Sequence, residues 1–222
     1  MLLEIKDLKY KYPDGLEALK GVSFGIKRGE KVGLIGSNGS GKSTLLLQIA
    51  GALKIQTGEI NLHGTSGLIM QDSDDQILMP SVIEDVAFNL IASGMDIKES
   101  HERAEKILLD LNIKHLRDRA PHKLSGGEKK IVSIAGILIA APELLLLDEP
   151  TASLDLRARR RIIEVLKKID HTVLLATHDL RMLYEICGRV IILNHGIIMA
   201  DGLTSEILSD KKLLEANDLE LP

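Results

Sequence analysis

Gly36-Ser37-Asn38-Gly39-Ser40-Gly41-Lys42-Ser43 decides the reading of this chain. The stretch fits G-x-x-x-x-G-K-[ST], a glycine-rich turn that cradles phosphate. Residues 31–35 before it (KVGLI) are wholly apolar after Lys31 and predict a buried strand. Residues 44–50 after it (TLLLQIA) predict a helix. Strand, turn and helix in that order are the context the pattern requires. The glycines let the backbone curl until successive N–H groups face inward. The helix behind them offers unpaired N–H groups and the positive end of its dipole to an anion. Lys42 adds a point charge for β- and γ-phosphates, and Ser43 a hydroxyl for Mg²⁺.

Working outward, residues 144–150 read Leu-Leu-Leu-Leu-Asp-Glu-Pro, an apolar strand ending on two carboxylates. Such a strand is buried on both faces, which sets Asp148 at its carboxyl end beside the phosphate loop of an open α/β sheet. There Asp148 suits the shell of a Mg²⁺ ion, and Glu149 suits the polarising of a water for attack on a γ-phosphate. Residues 172–176 (TVLLA) predict another apolar strand, ending on Thr177-His178-Asp179. His178 is therefore expected where the carboxylates are. Leu124-Ser125-Gly126-Gly127-Glu128 precedes a helix predicted over 129–140, a second helix start open to an anion. Tyr12 lies 24 residues before Gly36 and could fold back onto a purine; Tyr10 is the rival candidate.

The rest of the chain reads as scaffold. Residues 2–6 and 18–27 predict strands, separated by a Pro13-Asp14-Gly15 turn. Residues 59–62 and 67–70 predict short strands, followed by Gln71 and a polar loop, Asp72-Ser73-Asp74-Asp75-Gln76. Ser81-Val82-Ile83-Glu84 predicts a capping box that opens a helix to about residue 91. Residues 96–111 are amphipathic, with Ala104, Ile107, Leu108 and Leu111 on one stripe. Ser153-Leu154-Asp155 opens a helix through 169. Its basic residues (Arg157, Arg159, Arg160, Arg161, Lys167) read as a solvated face, because Ile162, Ile163, Val165 and Leu166 take the core side. Residues 189–193 and 197–200 predict a hairpin around Asn194-His195-Gly196, and 202–222 a polar helical tail. His63, His101, His115, His122, His171 and His195 lack zinc-like spacing, so no metal is assigned to them.

Composition narrows the class. At 222 residues, 45% hydrophobic and 27% charged, the chain has the make-up of an ordinary globular α/β domain or two small lobes. A net charge of −4, with 2% aromatics and no Trp, argues against a nucleic-acid partner. Cys187 stands alone, so no disulfide framework is expected and a reducing cytoplasm fits. The start, Met1-Leu2-Leu3-Glu4, predicts a strand rather than a secretory signal. The apolar runs at 131–142 and 144–147 fall short of the about 20 residues that span a bilayer. Work at a membrane would need another chain to cross it.

With these residues in hand the chain resembles an ATP-binding-cassette (ABC) ATPase. The elements carrying the resemblance are the aromatic near the start, 36–43 (Walker A), Gln71, the LSGGE signature at 124–128, 144–149 (Walker B), Ser153-Leu154-Asp155, and His178. The resemblance implies an α/β P-loop NTPase fold. A RecA-like core with an antiparallel β subdomain would take about 1–71 and 143–222, with an inserted helical subdomain at about 72–142. It also implies a head-to-tail dimer, homodimeric or with a second ABC ATPase, holding ATP and Mg²⁺ at the interface. On that reading Tyr12 stacks on adenine, and Asn38, Gly39, Ser40, Gly41, Lys42, Ser43 and Thr44 hold the phosphates. Ser43, Gln71 and, through water, Asp148 serve Mg²⁺. Glu149 is the general base, and His178 holds the γ-phosphate and the attacking water. Ser125 and Gly127 reach the other subunit's ATP, and Asp155 lines the interface. Glu128 departs from the family's usual Gln, and is expected to tune closure rather than abolish it.

Within the family, residues 71–78 (QDSDDQIL) and 82–88 (VIEDVAF) resemble the ATPases of energy-coupling-factor (ECF) importers, as does Ala120-Pro121-His122-Lys123. Those take up cobalt, nickel or vitamins such as biotin. The resemblance implies a transmembrane coupling subunit and a substrate-binding membrane subunit as partners, at the cytoplasmic face of the membrane. The chain has little room for the C-terminal extension that many ECF ATPases carry, which favours the shorter single-ATPase systems. The alternatives are another ABC transporter class or a soluble ABC ATPase. The latter usually carries coiled-coil insertions or paired cassettes, and neither is seen here.

Overall fold

The computed structural model describes residues 1–73 and 76–219. Asp74 and Asp75 of the expected acidic loop, and 220–222 of the expected tail, lie outside the described residues. The described residues divide by packing into two units, the first formed by 1–68, 143–149 and 169–219, the second by the other described residues.

The first unit holds two sheets. Strands β1 (Leu3–Lys11), β2 (Glu17–Ile26) and β4 (Thr57–Leu62) form an antiparallel sheet with β1 in the centre. The second sheet has the order β5-β6-β7-β3-β8-β9, from β3 (Lys31–Ile35), β5 (Ser66–Ile69), β6 (Leu144–Asp148), β7 (Thr172–Ala176), β8 (Arg189–Asn194) and β9 (Ile197–Leu203). Strands β6, β7, β3 and β8 are parallel, and β9 returns antiparallel through the hairpin at His195-Gly196. Helix α1 (Lys42–Ile49) packs on both sheets. Leu45 and Leu46 join Leu3 and Ile5 on one side and Leu144, Leu146 and Leu174 on the other in one buried cluster. The four leucines of β6 are wholly buried, which is why that strand reads as an unbroken apolar run rather than an alternation. Helices α6 (Leu180–Ile186), α7 (Thr204–Ile207) and α8 (Lys211–Glu215) complete the unit.

The second unit is helical: α2 (Val82–Ala92), α3 (Ile97–Asp110), α4 (Gly126–Leu138) and α5 (Leu156–Lys168). Residues 150–168 group here because α5 lies along α4, with Gly127 against Ala158. A side chain at Gly127 would run into Ala158, so the close approach requires the glycine. Arg157, Arg160 and Lys167 of α5 are exposed, while Arg161 reaches back to the Asn112 carbonyl at 2.9 Å. The capping box expected at Ser81 is not made. The Ser81 hydroxyl donates to the Glu84 carboxylate at 2.6 Å, and its oxygen accepts no backbone N–H of the first turn: the two side chains pair with each other instead of reaching back to the main chain. The helix predicted over 129–140 starts three residues earlier, at Gly126. Among the described residues, no helix is long and apolar enough to cross a membrane.

Candidate functional site

The parallel register brings three chain segments to one edge of the first unit. Leu34 pairs with Ala176, and Asp148 pairs with the same Ala176, so β3, β7 and β6 end level. β7 stands between the other two. Asp148 therefore leaves the sheet two strands from β3, which leads into the phosphate loop, with β7 between them.

The loop at 36–43 has the form of an anion cradle. Gly39 (φ +78°) and Gly41 (φ +108°) take backbone conformations that side chains disfavour. Gly36 packs so closely that a side chain there would meet the Leu193 carbonyl. Gly41 is the N-cap of α1 and has no side chain to cap it; no acid stands in the first turn, and the helix ladder begins with Leu45 N–H to the Gly41 carbonyl. The N–H groups of the first turn and the dipole end are thus turned outward without an internal anion. Lys42 is 7% exposed and its Nζ donates to the Gly36 and Ser37 carbonyls at 2.7 and 3.1 Å. Burial lowers its pKa, partly offset by the Glu149 and Asp148 carboxylates. An uncapped helix start beside a partly desolvated ammonium fits the phosphates of a nucleotide. Ser40 points its hydroxyl towards Gly36 rather than outward, and this buried oxygen has no protein partner. Ser43 is exposed at the helix start, and Asp148 is half-buried, oxygen donors of the kind a hard cation takes. Asn38 is exposed in the loop.

Glu149 is nearly buried and held at several points. Its backbone sits at φ +45°, its N–H donates to the Ala176 carbonyl at 2.9 Å, and Thr177 Oγ1 donates to its Oε2 at 2.9 Å. His178 Nδ1 lies 3.0 Å from the other oxygen, Oε1, with the His178 side chain 70% exposed. The Tyr12 hydroxyl is 3.0 Å from Thr44 Oγ1, and Tyr10 meets the Tyr12 ring edge-on at 4.9 Å. Tyr12 is half-buried beside the start of α1, whereas Tyr10 is buried in the core cluster.

The remaining candidates belong to the second unit. Gln71 is exposed, and its carbonyl and that of Met70 accept from Lys130 Nζ at 2.8 and 2.7 Å. Lys130 is 2% exposed on α4. It ties the chain around Gln71 to the helix that starts at the signature. Ser125 caps that helix in a complete capping box: its hydroxyl accepts from Glu128 N–H at 3.3 Å, and Glu128 Oε2 accepts from Ser125 N–H at 2.8 Å. The Ser125 hydroxyl is therefore turned onto its own helix. The Ser125 backbone N–H, with smaller help from Arg119 and His115, holds the Glu128 carboxyl below its usual pKa. Asp155 caps α5, accepting from Ala158 N–H at 2.8 Å. Gln71, Ser73, Gly126, Lys129 and Leu154 line a cleft of about 480 Å³. A second groove, about 320 Å³, lies between α2 and α4, lined by Met70, Leu78, Asp85, Phe88 and Ile137.

Sequence reasoning passed over Thr177 and Lys130. Neither belongs to a spacing pattern. Each contact is set by packing, 28 residues apart for Thr177 and Glu149 and 59 for Lys130 and Gln71.

Known proteins resemble this chain in sequence and fold. A family model described as ABC transporter matches residues 19–152. The energy-coupling factor transporter ATP-binding protein EcfA of Methanothermobacter thermautotrophicus is 40% identical, over 100% of this chain and 77% of its own length. The solved structure of cbiO1 from Clostridium perfringens, described as part of the ABC transporter complex cbiONQ, is 34% identical. It superposes with a TM-score of 0.84 over 100% of this chain and 96% of that one. A dimeric cassette, MJ0796, described as a post-hydrolysis state bound to ADP and Pi, is 28% identical with a TM-score of 0.81, over 91% of this chain and 98% of that one. The chain belongs to the ABC transporter family, as one of its ATP-binding, ATP-hydrolysing cassettes.

Proposed function

We propose that this cassette energises a membrane importer of the ECF type, for cobalt or nickel ions or a vitamin such as biotin. It would work at the cytoplasmic face of the membrane as one half of a head-to-tail dimer. One juxtaposition carries the chemical part: the uncapped start of α1 with Lys42, and the Glu149 carboxylate, leave the same edge of one sheet. Similarity to EcfA and cbiO1 supports the importer part.

When bound, ATP supplies the phosphoryl group and the anhydride bond that is cleaved. Lys42 and the N–H groups from Gly39 to Thr44 hold the phosphates, and Asn38 and Ser40 complete the loop. Tyr12 stacks on the adenine. Ser43 and Asp148 would hold Mg²⁺, which would offset the charge of the phosphates; Gln71 is assigned to the same ion by family resemblance. Glu149 takes the proton of the attacking water, and His178 steadies the γ-phosphate and that water. Ser125, Gly127 and Asp155 face the second cassette. Two half-sites that share donors close on nucleotide and reopen after hydrolysis, a ligand-biased two-state change that can move an attached membrane subunit.

The groove between α2 and α4 is the expected seat of that subunit. Leu78 and Phe88, 71% and 42% exposed, flank it. Asp85 lies in it, its carboxyl pushed up by burial while it accepts from Leu78 and Met79 N–H. Affinity purification of the tagged chain from detergent-solubilised native membranes, read by mass spectrometry, tests the assignment. Recovery of a transmembrane coupling protein with a small membrane-embedded binding subunit is expected. Recovery of an ordinary pair of permease chains, or of ribosomes, overturns the ECF reading and leaves the ATPase standing.

Glu128 gives a second expectation. Its carboxylate suits the start of α4 by the helix dipole, worth about 0.3–1 kcal/mol. It also adds negative charge where Ser125 and Gly127 would meet the partner's phosphates. The amide in Glu128→Gln still accepts the Ser125 N–H. This variant should lower the ATP concentration needed for dimer formation by about 5-fold, equivalent to roughly 1 kcal/mol, read by light scattering. Because the folded-state pKa of Glu128 is depressed, its contribution to stability is present above the unfolded carboxyl pKa and fades as pH falls through the folded value. The variant should therefore flatten the acid side of the stability profile, below about pH 4.3. Unchanged dimerisation would remove Glu128 from the closure equilibrium.

A further inference from the structure

The roles above leave Thr177 unused, although none of it is exposed. Its hydroxyl has two neighbours of opposite character. Asp179 N–H donates to Thr177 Oγ1 at 3.1 Å, and Thr177 Oγ1 lies 2.9 Å from Glu149 Oε2. The hydroxyl oxygen thus accepts from Asp179 N–H while the hydroxyl proton goes to the carboxylate, which uses both functions of the group. Thr177 is itself anchored to the sheet, its N–H donating to the Leu34 carbonyl at 3.2 Å. The Glu149 backbone is likewise fixed, by its bond to Ala176 and by φ +45°. One carboxylate oxygen is thus pinned on the buried side. The other, Oε1, is the one that meets the exposed His178 ring.

We propose that Thr177 is a positioning residue for ATP hydrolysis: it holds Glu149 by Oε2, so that Oε1 is the oxygen presented to the attacking water. The proposal rests on the reading of Glu149 as the general base. In the step served, a water proton passes to Oε1 while the water oxygen bonds to phosphorus. The bond from phosphorus to the leaving diphosphate oxygen breaks. Without the hydroxyl, the carboxylate loses its buried anchor and keeps only the contact with the exposed His178 ring, so its plane is less firmly aimed at the water. Misplacement of a reacting group by about 1 Å can cost on the order of 100-fold in rate. Loss of one orienting bond, with the Glu149 backbone still fixed, should cost less, about 10-fold.

The test is steady-state ATPase kinetics on the full chain carrying Thr177→Val, Thr177→Ser, Glu149→Gln, and Val and Gln together. Thr177→Val should lower kcat about 10-fold and leave the KM for ATP within about 2-fold, while Thr177→Ser, which keeps the hydroxyl, recovers turnover. Added to Glu149→Gln, Thr177→Val should cause no further loss, because both act through one carboxylate. If Val disturbs folding, seen as a lost thermal transition, Thr177→Ala carries the same expectation, with the thermal midpoint followed alongside. A kcat for the hydroxyl-free variants within 2-fold of the parent overturns the proposal, as does a rise in KM alone or a failure of Ser to recover turnover. Full turnover in Glu149→Gln overturns the reading of Glu149 and the proposal with it. Loss in Glu149→Gln without loss in the Thr177 variants overturns the proposal alone.

Discussion

Glu149→Gln is expected to bind ATP and to lose turnover by at least about 100-fold, the lower end of what a positioned general base contributes. The substitution is close to isosteric. The amide oxygen still accepts from Thr177 Oγ1 where the carboxylate does at 2.9 Å, and the backbone bond to Ala176 is untouched. What is lost is basicity at the atom that faces His178. A cassette that closes on ATP and cannot hydrolyse it should stay closed, so light scattering with MgATP should show a dimer. Retained turnover would move the base elsewhere. Loss of turnover with only monomer in solution would leave the base in place and make the closed-dimer mechanism wrong for the isolated chain.

Lys42→Ala should remove nucleotide binding and turnover together, for two separable reasons. The first is the lost charge: hydrogen bonds to charged groups contribute about 1.5–3 kcal/mol each, so ATP affinity should fall by at least about 100-fold. The second is internal. Lys42 Nζ closes the loop on itself through the Gly36 and Ser37 carbonyls. Alanine leaves those acceptors without that donor, and an unsatisfied buried group costs about 1–3 kcal/mol. Isothermal titration with ATP reads the first effect and the denaturation midpoint without nucleotide reads the second. Lys42→Arg separates them, since it restores a positive charge but not the compact ammonium that fits between two carbonyls. Persistent turnover in Lys42→Ala would place the active site away from this loop.

The chemistry-bearing stretches were legible because each is short and continuous. Eight residues at 36–43 specify a turn whose glycines and lysine have few other uses. The leucines at 144–147 specify a strand buried on both faces, which they form. Both local signals survive folding because backbone geometry and burial act on adjacent residues. Capping was less legible. Ser81-x-x-Glu84 and Ser125-x-x-Glu128 share one pattern, yet only the second closes into a box. In the first, the serine proton goes to the Glu84 carboxylate, while Asp85 takes the N–H groups of Leu78 and Met79. Whether a serine oxygen lies under the N–H of its own first turn or is drawn aside by its partner's carboxylate is decided by side-chain placement that the sequence does not display.

The sequence by itself determined the class of fold, the family and the candidate residues, because those follow from runs of neighbouring residues with strong local preferences. Tertiary structure alone decided the strand order, which inserts β7 between β3 and β6 and makes the three ends level. It alone brought Tyr12 to Thr44 while burying Tyr10, tied Gln71 to α4 through the buried Lys130, and gave the Glu149 carboxylate two different neighbours, one on each oxygen. These contacts join residues 28 to 59 positions apart. Which long-range partners meet depends on sheet register and helix packing summed over the whole core, and no local pattern along the chain encodes that sum.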